Sequence, residues 1–139
     1  MRSSLSKRIQ ASIFKRDCWC CRYCGIEVIF SVALKAMDSI NPEHGYYHRN
    51  GKREKMARLL LDRCACVDHI VPVSSGGSNN PENLLCSCWR CNTLKGSDSA
   101  DVWSSRIIAK ESLQVAQGWD GFLGIVKKLE PDNEWLKYF

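Results

Sequence analysis

No apolar run in the sequence approaches the roughly 20 residues that a membrane-crossing helix needs. Internal repeats and low-complexity segments are missing too, so neither a solenoid nor a linker-like chain is expected. The first sixteen residues have no continuous apolar stretch, so they do not read as a secretory leader, and a reducing, cytoplasmic setting is expected. They also lack any acid while holding five basic side chains. The cysteine count, nine, is odd, which argues against a fully paired disulfide framework. In a reducing compartment clustered cysteines read first as metal ligands.

What is present fits one domain of 139 residues with a modest core that gains from an added staple. The formal net charge of +5 is uneven. Residues 1–96 hold 15 Lys and Arg against 8 Asp and Glu, whereas residues 97–139 hold 5 against 7. A basic face suits a polyanion, and nucleic acid is the commonest. A solvated, solubilising face would have the same composition.

Apolar residues at helical spacing (Leu5, Ile9, Ile13, Phe14) predict a basic amphipathic helix over Ser4–Asp17. Cys18–Gly25 reads as a tight knuckle, with Gly25 able to take a positive φ. Val28–Ile40 is apolar enough for the core without declaring helix or strand. Residues 41–51 carry Pro, Gly and Asn and read as a loop. A helix is expected over Lys52–Arg63, with Met56, Leu59, Leu60 and Leu61 as its inward candidates. Short strands are expected at Ala65–Val71 and Leu84–Ser87, joined by the long Gly- and Asn-rich turn of residues 73–83. A helix follows from Trp89 to Lys95. Residues 97–139 read as two or three short helices broken at Gly118 and Pro131, their aromatic side chains covering one side of the core.

Two Cys-x-x-Cys pairs stand out, Cys21 with Cys24 and Cys88 with Cys91. Two residues between thiolates let both sulfurs reach one ion, and two such pairs complete a tetrahedral site suited to structural Zn²⁺. Cys18 with Cys21 has the same spacing, but Gly25 favours the Cys21 register. Cys18, Cys20, Cys64, Cys66 and Cys86 read as small core residues, with a second ion on some of them left open.

The chemistry-bearing residues lie between and around these pairs. Asp68 and His69 sit on the first expected strand, Asn83 at the end of the turn, Asn92 and Lys95 on the following helix. A carboxylate and an amide oxygen are hard donors, so Asp68 and Asn92 suit Mg²⁺ or Mn²⁺. His69 titrates near neutrality and can take a proton from an attacking water. Asn83 reads as a brace that bonds backbone groups across the turn. Lys95, Arg90, Lys15 and Arg16 are candidate phosphate contacts. Arg49, Lys52, Arg53, Lys55 and Arg58 form either a second phosphate ridge or a solvated face. His44 and His48 read as surface residues of a loop.

Taken together, Asp68-His69-Ile70-Val71-Pro72, Gly76-Gly77, Asn83-Leu84 and Cys88-Trp89-Arg90-Cys91-Asn92, with Lys95-Gly96, preceded by Cys21-Arg22-Tyr23-Cys24-Gly25, resemble the HNH endonucleases of the ββα-metal fold. The family's three letters correspond to His69, Asn83 and Asn92. The resemblance implies an α+β fold: a two-stranded hairpin and helix stapled by a four-cysteine zinc site, with helices on either side. It implies Asp68 and Asn92 as metal ligands, His69 as general base, and cleavage leaving 5′-phosphate and 3′-hydroxyl ends. Its parts are a basic helix (1–17), the knuckle (18–25), a variable insertion (26–63), the ββα core (64–96) and a helical tail (97–139). Double-stranded DNA is the expected substrate. RNA as substrate, and a non-catalytic zinc module that binds nucleic acid or protein, remain the competing readings. Neither a membrane partner nor an oligomeric state is implied.

Overall fold

The computed structural model describes residues 5–48, 56–96 and 100–139. Helix α1 (Lys7–Arg16) begins at Ser6, whose Oγ accepts the Ile9 N–H at 3.2 Å and so satisfies one of the helix's orphan donors. Lys15 and Arg16 occupy the last turn, where cations complement the helix dipole. Its buried face is Ala11, Ile13 and Phe14. The chain then reverses through Cys18 and Trp19, both at φ 55. This left-handed backbone is held by the Trp19 N–H on the Phe14 carbonyl at 3.0 Å and by stacking of the two rings, 5.0 Å between centroids.

The undeclared stretch after the knuckle is mostly helix: α2 spans Ser31–Ile40 and buries Ala33, Leu34 and Ala36. Of the helix expected over residues 52–63, α3 (Arg58–Asp62) is observed, and residues 52–55 lie outside the described residues. Met56 and Leu61 are buried, but Leu59, expected inward, is 79% exposed. One helical turn cannot aim three consecutive leucines at one side.

Strands β1 (Ala65–His69) and β2 (Leu84–Cys88) form an antiparallel hairpin in which His69 faces Leu84 and Asp68 faces Leu85. Strand β1 stops two residues earlier than its sequence predicts. The side chain of Asn83 takes the backbone N–H and carbonyl of Val71, so Val71 has nothing left for the ladder. Strand β2 is buried along its whole length and runs directly into α4 (Trp89–Lys95).

Behind this hairpin the tail supplies α5 (Ala100–Ser104), α6 (Leu123–Leu129) and single 3₁₀ turns at Lys110–Ser112 and Glu134–Tyr138. Its rings close the core. Trp135 meets Phe30 edge-on at 5.1 Å, and Phe139 packs on Trp19 and Phe30 at 5.5 and 5.7 Å. Gly121 lies so close to Trp19 that a Cβ there would fall 2.4 Å from the indole. The result is the small α+β architecture that the sequence implied, with the hairpin and α4 at its centre. No helix among the described residues is long and apolar enough to cross a membrane.

Candidate metal and catalytic site

Gly25, at φ 80, closes the knuckle by donating its N–H to the Cys21 carbonyl at 2.8 Å. The turn sends the sulfurs of Cys21 and Cys24 toward those of Cys88 and Cys91, and all four lie within 4.8 Å of one another. A tetrahedral Zn–S bond of about 2.3 Å demands sulfurs about 3.8 Å apart; Cys24 and Cys88 are 3.8 Å apart. The donor set and spacing therefore fit zinc. Cys88 also caps α4, its Sγ accepting the Cys91 N–H at 3.4 Å, so one residue holds both ion and helix start.

Protonation in this quartet is shared. Hydrogen bonds from Cys24, Cys88 and Cys91 pull the Cys21 thiol far below its ordinary range. Cys24, pushed up by Cys21 but pulled down by Cys88 and Cys91, comes to about 7. Cys88 and Cys91 are pushed up by their bonds to Cys21. Negative charge gathered among four sulfurs suits a thiophilic dication. The other cysteines form no second cluster among the described residues. Burial pushes the Cys64 thiol up to about 11 and the Cys66 thiol to about 12. Burial also raises Cys20 and Cys86.

The knuckle and hairpin are joined by a buried carboxylate that sequence reasoning missed. Asp17 is wholly buried and accepts from Arg16 at 2.9 and 3.0 Å, from Arg22 at 2.9 Å and from the Cys86 N–H at 2.9 Å. Arg16 reaches on to the carbonyls of Pro81 and Leu84 at 2.8 and 2.6 Å. Its guanidinium, a candidate phosphate contact by sequence, is engaged in these four bonds. An acid directly following a basic helix was the available signal.

Asn83 spans the turn. Its Oδ1 accepts the Val71 N–H at 2.8 Å, and its Nδ2 donates to the carbonyls of Val71 and Ser78 at 3.1 and 2.8 Å. Gly77 is needed beneath this bridge, because a Cβ there would stand 1.7 Å from the Val71 oxygen. The same turn carries Asn79, whose Oδ1 lies 2.8 Å from His69 Nε2. An amide oxygen only accepts, so Nε2 is the donor in this contact. Asn79 read in the sequence only as a turn former.

One step back along β1, Asp68 Oδ2 accepts from the Tyr23 hydroxyl at 2.7 Å and from Lys95 Nζ at 2.6 Å. Lys95 Nζ also donates to the His69 carbonyl at 2.6 Å. Lys95 is 7% exposed, and its ammonium points at the hairpin. It is therefore not an outward phosphate contact, because its face of α4 is turned toward β1. Asn92 lies one turn earlier on that face, half-buried. Burial, then the bond to Asp68, holds the Tyr23 phenol well above its usual range. Arg90 and Lys15 are exposed. Lys15 lines a surface pocket of about 450 Å³ with Arg8, Ser12, Lys137 and Tyr138. The ridge over residues 49–55 lies outside the described residues, and Arg58 pairs with Asp62 at 3.5 Å.

Comparison with known proteins agrees with this geometry. The HNH endonuclease family matches residues 54–98, which contain both strands, the turn and α4. This stretch is an HNH segment. The chain is also similar to the CRISPR-associated endonuclease Cas9 of Actinomyces naeslundii, 31% identical over 106 residues, which is 63% of this chain and 10% of that protein. The Cas9 of Corynebacterium diphtheriae is 36% identical over 59 residues, 38% of this chain and 5% of that protein. The chain thus spans a tenth or less of the length of these relatives. No solved structure matches. Within the HNH segment the hairpin and α4 form the ββα core, and Cys88 and Cys91 belong to it while Cys21 and Cys24 reach it from outside.

Proposed function

We propose that the chain is a metal-dependent endonuclease that hydrolyses phosphodiester bonds in double-stranded DNA. The observation that carries this reading is the convergence on Lys95 Nζ, 2.6 Å from both Asp68 Oδ2 and the His69 carbonyl. It docks α4, and Asn92 with it, against the strand bearing the carboxylate and the imidazole.

In this reading Asp68 and Asn92 are the hard oxygen donors for Mg²⁺ or Mn²⁺. The ion, when bound, offsets negative charge on the phosphate and on the leaving 3′ oxygen. With Nε2 of His69 engaged by Asn79, Nδ1 is the nitrogen assigned to accept the proton of a water. The water oxygen bonds to phosphorus as the P–O3′ bond breaks and O3′ takes a proton from solvent, leaving 5′-phosphate and 3′-hydroxyl ends. Asn83 fixes the turn and keeps His69 and Asn79 in register. The four-cysteine zinc staple fixes the start of α4 and takes no part in the reaction, since four thiolates leave no open position.

A nucleic-acid substrate is favoured by the cations left outward. Arg8, Lys15 and Lys137 meet at one pocket about α1, and Arg90 is exposed on α4. Such a set holds a phosphate backbone without reading bases, giving salt-sensitive binding.

The test is nicking of a supercoiled plasmid by zinc-loaded protein with Mg²⁺ or Mn²⁺, alongside His69→Ala. The native protein is expected to nick, and the variant to be about 10²- to 10⁴-fold slower with its fold intact. Equal cleavage by the variant removes His69 from the role of base. Binding without cleavage returns the reading to a zinc module, and preferential cleavage of RNA changes the substrate.

A further inference from the structure

Tyr23 belongs to the zinc knuckle by position, between Cys21 and Cys24, yet its hydroxyl is bonded to Asp68, 45 residues on. Both donors that Asp68 meets among the described residues, Tyr23 and Lys95, address the same oxygen, Oδ2. They also support one another. Lys95 Nζ lies 5.7 Å from the centroid of the Tyr23 ring, and Trp103 meets that ring edge-on at 5.1 Å. Tyr23 is buried, so the ring has no freedom to swing its hydroxyl away.

A tyrosine whose purpose is packing needs only the ring. This one spends a buried hydroxyl on a carboxylate that already has a lysine partner. What the second donor adds is direction: two donors on Oδ2 stop rotation about the Cβ–Cγ bond. The other oxygen, Oδ1, is then the one offered to an ion. Because Tyr23 is held by its neighbours Cys21 and Cys24, that direction is inherited from the zinc site.

Resting on the nuclease reading, we propose that Tyr23 is a positioning residue. With Lys95 it clamps Oδ2 of Asp68, so that the knuckle aims Oδ1 at the divalent ion. The zinc site then has two lines to the reacting centre. One runs through Cys88 and Cys91 into α4 and Asn92. The other runs through Tyr23 into Asp68.

Tyr23→Phe removes one oxygen and keeps the ring against Trp103. In zinc-loaded protein, Mn²⁺ binding is read by loss of the free-ion electron paramagnetic resonance signal. The variant is expected to bind about tenfold more weakly, as loss of a partner behind a metal ligand does. The Mg²⁺ concentration for half-maximal nicking should rise by a similar factor, with the rate at saturating Mg²⁺ within about twofold. Zinc content should stay at the native value, and Tm should fall by only a few degrees, as loss of one buried hydrogen bond does. Unchanged Mn²⁺ affinity overturns the proposal. So does a loss of affinity that tracks loss of zinc or unfolding at the assay temperature, which would make Tyr23 a fold residue only. A native protein that nicks DNA beside an unaffected variant sinks this inference and spares the nuclease reading. Native protein that neither binds Mn²⁺ nor nicks sinks both.

Discussion

Around the four-cysteine cluster, the chain is held by a few directional contacts. Four sulfurs, the Asp17 carboxylate with two arginines, the Lys95–Asp68 pair and the Asn83 amide each fix a position to within a hydrogen bond. Around α1, α2 and the tail, the chain is held by rings. Phe14, Trp19, Phe30, Trp135 and Phe139 pack as one layer at 5.0 to 6.2 Å. The two kinds of order do different work. Ring packing is roughly proportional to buried area and tolerates small shifts. A hydrogen bond or metal bond loses most of its value with a shift of half an ångström. The directional kind is found about Asp68, His69 and Asn83, and the tolerant kind where a surface has only to be covered.

The comparison breaks most severely if the zinc is removed. Cys91→Ser deletes one ligand while keeping the backbone N–H that Cys88 Sγ accepts, so the loss falls on the metal site. Structural zinc contributes on the order of 10 kcal/mol of folding free energy in small domains, comparable to the whole stability of a chain this size. Bound zinc by mass spectrometry, the far-ultraviolet circular dichroism transition and plasmid nicking are expected to be lost together. A variant that keeps a native Tm without zinc shows the ring layer sufficient to hold both halves.

A smaller effect is expected at Asp17. The carboxylate is fully buried, and it joins the end of α1, the knuckle and β2. Asp17→Ala leaves the Arg16 and Arg22 guanidiniums facing each other and the Cys86 N–H without its acceptor. Breaking a buried pair from one side costs about 3 kcal/mol. Urea unfolding should report that loss with zinc still bound. If zinc falls as well, the carboxylate is part of what assembles the metal site rather than a separate tie.

The same division explains what could be read in the sequence. Cysteine spacing, Gly25 and the Asp68–His69, Asn83, Asn92 order announce themselves, because metal chemistry and tight turns restrict residue type and separation. Helix α4 and both strands follow from that frame. Asp17, Tyr23 and Asn79 stayed hidden because each acts on a residue distant in sequence or across a turn, and spacing carries no trace of such a bond. Lys95 and Arg16 show a related limit. A cation in a basic segment looks like a phosphate contact until the fold supplies a buried carboxylate beside it. Leu59 shows the limit on the apolar side: a short leucine run names the helix without naming its inner face.

The mildest expected effect lies in the ring layer, where it sharpens the comparison most. Phe139 packs on Trp19 and Phe30, neither of which belongs to the hairpin turn or the four-cysteine cluster. Full burial would make Phe139→Ala cost 3–5 kcal/mol by the usual cavity argument; for a half-buried ring about 2 kcal/mol is expected. The thermal midpoint should drop while zinc content and the Mg²⁺ dependence of nicking, measured well below that midpoint, stay native. Covering a surface then contributes stability without setting the aim of Asp68 or His69. Should the Mg²⁺ dependence move with Phe139→Ala, the ring layer must be transmitting position through Trp19 and the adjoining knuckle, and the aim of the carboxylate is set by the whole chain rather than by its zinc half.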